Sequence, residues 1–146
     1  MGALDGETRS NTLWLESKHG WDGLLIEGDK SSLSALKGKQ RKAWILPNCI
    51  SIKNHTIVAV FANKGHVGKI VDTKTEVKQV SNQNHTDVVC IPLYSIVAAL
   101  DRKRIDFFSL DVEGFELEVL KTIPFAKLDI KAVSYTHLTL PTTPYV

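Results

Sequence analysis

Long apolar runs and clusters of basic residues are both absent from the sequence. No stretch approaches the ~18 consecutive apolar residues that a membrane-spanning helix requires, and the N-terminus lacks the basic-then-apolar layout of a secretion signal. The 18 basic and 16 acidic residues give a formal net charge of +2, and without a Lys/Arg-rich run no nucleic-acid partner is indicated. With 146 residues, of which 43% are hydrophobic, the chain is typical of one globular domain.

Cysteine is scarce, which excludes a small disulfide-rich scaffold. The two cysteines, Cys49 and Cys90, do not have the spacing of a zinc site, and the five histidines are scattered, so we expect no metal site. Two triplets, Asn54-His55-Thr56 and Asn84-His85-Thr86, match the acceptor pattern for N-linked glycosylation. Such triplets are common by chance. If these two are used, the compartment is oxidising and the two cysteines could pair.

Short apolar stretches alternate with segments of helical periodicity along most of the chain. The patterns predict a short helix within 7–19, with Thr8, Ser10 or Asn11 as its N-cap, a helix at 31–39 capped by Ser31 or Ser32, and helices at 95–104 and 115–123. They also predict strands within 21–29 and at 43–46, both with the pattern of buried strands, and strands at 88–93, 105–110 and 130–133. Because strands that alternate with helices are typical of βαβ units, we expect an α/β fold with a mostly parallel sheet. A β-branched run at 57–62, the turn signal Asn63-Lys64-Gly65 and a run at 67–71 predict a β-hairpin insertion around residues 56–71.

The last thirteen residues, Ser134–Val146, differ from the rest of the chain. They contain no Asp, Glu, Lys or Arg, and threonines and prolines interrupt any periodicity. The segment follows abruptly after a strand has begun, and it resembles the in-frame translation of a sequencing adapter. We therefore expect residues 134–146 to be a non-native, disordered tail with no packed structure. A genuine disordered tail is the alternative.

Three groups of residues have chemistry suited to a site. Residues 2–6 (Gly-Ala-Leu-Asp-Gly), called here the glycine loop, precede a predicted helix, and glycines at such a turn let a ligand approach the backbone closely. Glu27 ends the next apolar strand, 21 residues after Gly6, near the ~20 residues expected of an acid that binds a nucleotide ribose. Asp111 and Glu113 follow the strand at 105–110, where their carboxylates either serve a site or cap the next helix.

Taken together, three segments of the chain resemble the FkbM-type S-adenosylmethionine-dependent methyltransferase family. They are residues 2–16, 20–27 and 105–116, and the string Asp111-Val112-Glu113-Gly114-Phe115-Glu116 after an apolar strand is the most specific of them. The resemblance covers about residues 2–133. It implies a Rossmann-like, doubly wound and mostly parallel sheet. The first two segments are most similar to the animal branch that includes Star, a membrane-anchored trafficking factor.

The resemblance also implies a cofactor, S-adenosylmethionine, and residues that contact it. The matching positions of the cofactor loop are Gly2, Ala3, Asp5 and Gly6. Glu27 matches the acid that holds the cofactor's ribose, and Asn48 and Ser51 fall where the adenine edge is contacted.

The implied reaction is methyl transfer from the sulfonium to an oxygen of a small-molecule or glycan-like acceptor. Asp111 and Glu113 match the motif at the mouth of the fourth strand, which faces cofactor and acceptor. Because a hydroxyl acceptor needs in-line positioning and a nearby base, we expect Asp111 to act as that base or to orient the acceptor.

Two departures from the family pattern affect the expected activity. The family has a strand directly before the glycine loop, where this chain has Met1, and further strands after Val133, where the adapter-like tail begins. We therefore expect residues 1–133 to be a partial domain that binds the cofactor weakly or not at all and is inactive as it stands.

Two other functions remain open at this point. One is a catalytically silent Star-like domain that acts in membrane trafficking in the lumen of the ER, Golgi or endosomes. Any membrane anchor would then lie upstream of Met1, whereas a soluble enzyme would be cytoplasmic. The other is a nicotinamide-binding dehydrogenase, which the absence of a full Gly-x-Gly-x-x-Gly fingerprint disfavours.

Overall fold

The structure is a computed structural model that describes residues 2–62, 70–72 and 85–135. The helices are α1 (Leu13–His19), α2 (Lys30–Lys37), α3 (Leu93–Ala99) and α4 (Glu116–Lys121). The strands are β1 (Leu24–Ile26), β2 (Trp44–Leu46), β3 (Cys49–Ile50), β4 (Ile57–Ala62), β5 (Ile70–Asp72), β6 (His85–Ile91), β7 (Arg104–Ile105), β8 (Phe108–Leu110), β9 (Asp129–Ile130) and β10 (Val133–Tyr135). The expected α/β class is confirmed.

The strands form small sheets, and most of the pairings are parallel. β1 pairs with β2, β8 with β10 and β7 with β9, each in parallel. A mixed sheet has the order β3-β6-β4-β5, in which β3 is parallel to β6 and β4 is antiparallel to both β5 and β6. The mostly parallel character agrees with the sequence, but the described residues form separate sheets rather than one continuous sheet. The turn predicted at Asn63-Lys64-Gly65 lies outside the described residues.

β1 is packed against helices through alternate side chains. Leu25 belongs to a cluster with Leu33 and Leu36 of α2, whereas Ile26 belongs to the main core. Successive side chains of a strand point to opposite faces, so β1 has apolar neighbours on both sides. Such two-sided burial is typical of a strand in an α/β sheet, and it fixes the position of the carboxyl end of β1.

The main core contains side chains from both the N-terminal and the C-terminal parts of the chain. It contains apolar side chains from β1, β3, α3, β8, α4 and the loop after α4, namely Ile26, Ile50, Leu93, Ile96, Val97, Phe108, Leu110, Val119, Ile123 and Leu128. Because β1 and β8 share this core, their carboxyl ends are held near each other. Among the helices described, none is long and apolar enough to cross a membrane.

The two cysteines form a disulfide bond between neighbouring strands. Cys49 on β3 and Cys90 on β6 are register partners in the parallel pair, and both are fully buried. The bond links positions 41 residues apart in the chain. The sequence left this pairing open, and the structure forms it.

Two helix starts differ from the sequence prediction. The first helix begins at Leu13 with Thr12 at the capping position, whereas the Ser10 hydroxyl, one of the expected caps, accepts hydrogen bonds from the Thr12 and Leu13 amides in the turn before it. The cap of α2 is Asp29, not Ser31 or Ser32, since its Oδ2 atom accepts the Ser32 amide at 2.8 Å. Burial raises the pKa of Asp29, but the hydrogen bonds from Ser31 and Ser32 outweigh it and hold the pKa below its ordinary value.

Two strand predictions are also corrected. The strand expected at 105–110 is divided into β7 and β8, which pair with β9 and β10 respectively. β2, expected to be buried, leaves Trp44 74% exposed, because hydrogen-bonded pairing in its sheet joins it to β1 alone.

The first two residues of the predicted tail take part in a strand. Ser134 and Tyr135 extend β10 and pair with Ser109 and Leu110 of β8, so these two residues are ordered by backbone hydrogen bonds. Residues 136–146 lie outside the described residues, and their origin and disorder remain predictions.

Candidate functional site

The glycine loop lies between the carboxyl ends of β1 and β8. The Gly2 amide donates to the Ile26 carbonyl at 3.2 Å. Gly2 has a φ of +70°, and a Cβ atom added to it would lie only 2.1 Å from the Asp111 carbonyl oxygen. A side chain at this position would therefore collide with backbone. The close approach brings the glycine loop, the end of β1 and the start of the 111–115 loop together, as the sequence predicted.

Glu27 fixes the glycine loop to the end of β1. Its carboxylate, in a residue only 8% exposed, accepts the Leu4 amide at 2.9 Å through Oε2 and the Asp29 amide at 2.8 Å through Oε1. An ionised carboxylate has about four acceptor positions, so both oxygens retain capacity for a ligand hydroxyl. Glu27 is thus placed beside the loop, where the sequence put it, and it has a structural role there as well.

The Asp5 carboxylate accepts hydrogen bonds from residues that follow it in the same turn. Its Oδ1 atom accepts the Glu7 and Thr8 amides at 3.0 and 2.7 Å, and its Oδ2 atom accepts the Thr8 hydroxyl at 2.7 Å. These hydrogen bonds, the one from the Thr8 hydroxyl above all, lower the pKa of Asp5 from 3.8 to about 2. Asp5 therefore shapes the segment that leads from the glycine loop to α1.

These hydrogen bonds predict how the turn depends on pH and how the pKa of Asp5 responds to substitution of Thr8. Because the pKa of Asp5 is lower in the folded chain, its ionised carboxylate stabilises the turn above pH 3.8. This stabilisation is lost as the pH falls through about 2. Replacing Thr8 with Val removes the hydroxyl donor, so the pKa should move back toward 3.8. Carboxyl-carbon NMR of Asp5 measures the shift. Thr122→Val is the control, since that hydroxyl donates to Val119 in α4, and a Thr8→Val pKa equal to the control's would contradict the arrangement.

The loop after β8 places one carboxylate atom in an unusual environment. Asp111 Oδ1 is buried and has no hydrogen-bond partner among the described residues. Buried polar atoms are nearly always paired in folded proteins, so an orphaned acceptor beside the glycine loop indicates a place for a donor from a ligand. Glu113, two residues on, is exposed and has a φ of +53°. Both predicted acids are therefore at the carboxyl end of β8.

Glu116 holds this loop in shape. It is fully buried, and its Oε1 and Oε2 atoms accept the Val112 and Gly114 amides at 2.9 and 3.0 Å. Neither Asp111 nor Glu113 is the capping residue of α4, since the capping position is Phe115, whose own side chain makes no capping hydrogen bond. Charge-assisted hydrogen bonds of this kind are stronger than neutral ones, so Glu116 fixes the backbone from which Asp111 projects.

Asn48 and Ser51 both hold backbone groups near the mixed sheet. Asn48 Nδ2 donates to the Val89 carbonyl at 3.0 Å. Ser51 is fully buried, and its hydroxyl donates to the His55 carbonyl at 2.7 Å and accepts the Lys53 amide at 3.0 Å. Within the described residues, no hydrogen bond connects either side chain to the glycine loop, Glu27 or Asp111. Their predicted contact with a ligand remains a prediction.

A buried ion pair beneath the glycine loop was missed by sequence reasoning. The Arg41 and Glu16 side chains are 2% and 8% exposed, with Nη2 and Oε2 3.0 Å apart. The Arg41 guanidinium also donates to the Gly6 carbonyl and to the Ser10 and Thr12 hydroxyls, at 3.3 and 3.2 Å for the hydroxyls. Arg41 therefore links Gly6 of the glycine loop to α1 and to the residues just before that helix.

A second missed contact joins the N-terminal segment to β8. Asn11 Nδ2 donates to the Ser109 hydroxyl at 3.0 Å, across 98 residues of sequence. Asn11 and Glu16 lie within the segment 2–16 that resembles the family, but nothing in the sequence indicates their partners, Ser109 and Arg41.

The combined site can bind hydroxyls and a positive charge. It presents the backbone of the glycine loop, two carboxylates that follow the carboxyl ends of β1 and β8, and one buried acceptor atom without a partner among the described residues. Carboxylates bind hydroxyl donors and attract cationic groups. Within residues 2–62, 70–72 and 85–135, no cluster of His, Cys, Asp and Glu is arranged to hold a metal ion.

Comparison with known proteins gives one match. The family model described as the methyltransferase FkbM domain matches residues 1–141. Neither the comparison with curated proteins nor that with solved structures returned a match. The matched range includes the glycine loop, Glu27 and the 111–116 segment on which the resemblance was based.

Proposed function

Because the chain belongs to the FkbM methyltransferase domain family, we propose that it is an S-adenosylmethionine-dependent O-methyltransferase domain with its site at the carboxyl ends of β1 and β8. The observation that carries the proposal is Asp111 Oδ1, a buried acceptor without a partner beside the close approach of Gly2. The acceptor carries a hydroxyl, as in a small molecule or a glycan. Membership of the animal Star-like branch remains a prediction.

The residues present are compatible with the cofactor. The glycine loop offers backbone without side-chain obstruction at Gly2, and Glu27 retains acceptor capacity for two ribose hydroxyls. Asn48 and Ser51 are the proposed adenine neighbours, and both side chains also hold backbone groups by hydrogen bonds. When bound, S-adenosylmethionine supplies an electrophilic methyl group on a sulfonium.

Asp111 is the proposed base or acceptor-orienting residue. Its Oδ1 atom can accept the hydrogen of an acceptor hydroxyl, which holds the hydroxyl oxygen in one direction. Glu116 keeps the backbone of this loop rigid through the Val112 and Gly114 amides. Glu113, which is exposed, is the proposed contact with the acceptor outside the buried part of the site.

Equilibrium binding tests the proposed site. We expect weak but measurable binding of S-adenosylmethionine, in line with the weak cofactor binding expected from the sequence. Glu27→Gln or Asp111→Asn should weaken this binding about tenfold or more, because each removes a hydrogen bond to a charged group. Asp106→Asn is the control, since Asp106 follows β7 and its carboxylate pairs with exposed Arg104. Equal affinity of all three variants would place the cofactor elsewhere.

A labelled methyl group tests the reaction itself. The chain is incubated with methyl-labelled S-adenosylmethionine and a panel of hydroxylated small molecules and oligosaccharides. The inactivity expected from the sequence predicts no label, whereas an active chain should place the label in an acid-stable ether and lose it in Asp111→Asn. Label on nitrogen or carbon would contradict the assigned reaction class.

One observation favours a second candidate, the catalytically silent domain. The side chains of Asp5, Asn48 and Ser51, all expected to contact the cofactor, are engaged in hydrogen bonds within the protein. Such a domain would keep these contacts as structure and bind no cofactor. Absence of S-adenosylmethionine binding by the unaltered chain would favour it over the enzyme.

A further inference from the structure

The loop between β3 and β4 has features of a modification site that a methyltransferase does not require. It carries the triplet Asn54-His55-Thr56, and all of residues 53–56 are exposed. The Asn54 Oδ1 atom is 3.1 Å from Nδ1 of His55, its exposed neighbour. A substituent on Asn54 Nδ2 would therefore displace no buried contact.

The base of this loop is fixed, which keeps the triplet at the surface. Buried Ser51 donates its hydroxyl to the His55 carbonyl at 2.7 Å and accepts the Lys53 amide at 3.0 Å. Both bonds turn the backbone sharply before β4 begins at Ile57. Residues 53–56 are consequently presented outward from an anchored turn.

A second, independent observation concerns the compartment. Cys49, five residues before Asn54, is disulfide-bonded to Cys90, and both are fully buried. Disulfides form and persist in oxidising compartments such as the ER lumen and are rare in the cytosol. N-linked glycosylation marks surface loops of proteins that pass through that same route.

From the exposed triplet and the buried disulfide together, we propose that Asn54 is an acceptor site for an N-linked oligosaccharide. In the step, Asn54 Nδ2 forms a bond to the anomeric carbon of the first sugar. The bond between that carbon and the pyrophosphate of a lipid-linked oligosaccharide donor breaks, the lipid pyrophosphate leaves, and one amide proton is released. No oxidation or reduction takes place.

Glycopeptide analysis of the protein isolated from the cells that make it provides the first test. Enzymatic removal of N-linked glycans in ¹⁸O-water should convert Asn54 into ¹⁸O-labelled Asp. An unmodified peptide that contains Asn54 as its only form would overturn the proposal.

Variants of the whole chain, expressed behind a cleavable secretion signal, provide the second test. Asn54→Gln and Thr56→Ala should each remove one glycan-sized mass, whereas Thr56→Ser retains the hydroxyl and should keep it. Asn84→Gln is the matched control, because it removes the other triplet and should leave the glycan at Asn54. Retention of the Asn54 glycopeptide in Thr56→Ala, or its absence from both the unaltered chain and Thr56→Ser, would contradict the assignment.

Discussion

Replacing Arg41 with Met is expected to cost about 3–5 kcal/mol of folding free energy, the range measured when one partner of a buried ion pair is removed. The substitution leaves the Glu16 carboxylate, 8% exposed, with the Lys42 amide as its remaining hydrogen-bond donor among the described residues. It also removes the donors to the Gly6 carbonyl and to two hydroxyls. Chemical denaturation measures the loss, which is a large fraction of the about 5–15 kcal/mol that stabilises a typical domain.

The control is the same substitution at an exposed pair. Arg104 contacts Asp106 with side chains 63% and 47% exposed, so Arg104→Met should change stability by no more than about 1 kcal/mol. The double variant Arg41→Met/Glu16→Gln should recover part of the loss, because no unpaired charge then remains buried. Equal effects at Arg41 and Arg104 would show that the ion pair beneath the glycine loop does not form.

Replacing Gly2 with Ala is expected to weaken S-adenosylmethionine binding by at least about tenfold. The new Cβ would lie 2.1 Å from the Asp111 carbonyl oxygen, and the residue has a φ of +70°. Because Asp111 O belongs to the backbone, the glycine loop must move away from β8. The loop would then lose the position in which Gly2 donates to Ile26 and Leu4 to Glu27.

Gly20→Ala is the control that distinguishes the steric clash at Gly2 from the cost of a left-handed backbone conformation. Gly20 has a φ of +66°, but nothing lies within 4 Å of its added Cβ. This control should lose about 1–2 kcal/mol of stability from the left-handed conformation and bind S-adenosylmethionine like the unaltered chain. Parallel losses of affinity in both variants would mean that general destabilisation, not the loop position, causes the effect.

The helices, strands and strand ends that depend on the local pattern of apolar residues were predictable from the sequence. Alternation of apolar strands and helices indicated α/β structure, and the ends of two of those strands located Glu27 and Asp111 correctly. These predictions succeeded because strand ends follow from the chain's own periodicity. The family match over residues 1–141 agrees with the resemblance drawn from the same motifs.

Contacts between distant positions were not predictable from one sequence. Arg41 lies 25 residues from Glu16, and nothing in the spacing indicates that the two side chains share a buried environment. The start of α1 was misplaced because Asp5 and Ser10 offer the backbone turns that compete with a helix. The strand at 105–110 was predicted as one because its apolar pattern is continuous, whereas its partners are two separate strands.

The most direct test of the proposed site is an NMR titration of the ¹⁵N-labelled chain with S-adenosylmethionine. We expect saturable changes in the amide shifts of residues 2–6, Glu27 and residues 111–114, and much smaller changes at the same concentrations in Asp111→Asn. These amides are the ones that the Gly2 approach and the Glu27 and Glu116 hydrogen bonds bring together. Changes confined to Lys103 and residues 125–130, which line a separate surface depression, or no change at saturating cofactor, would contradict the proposed site.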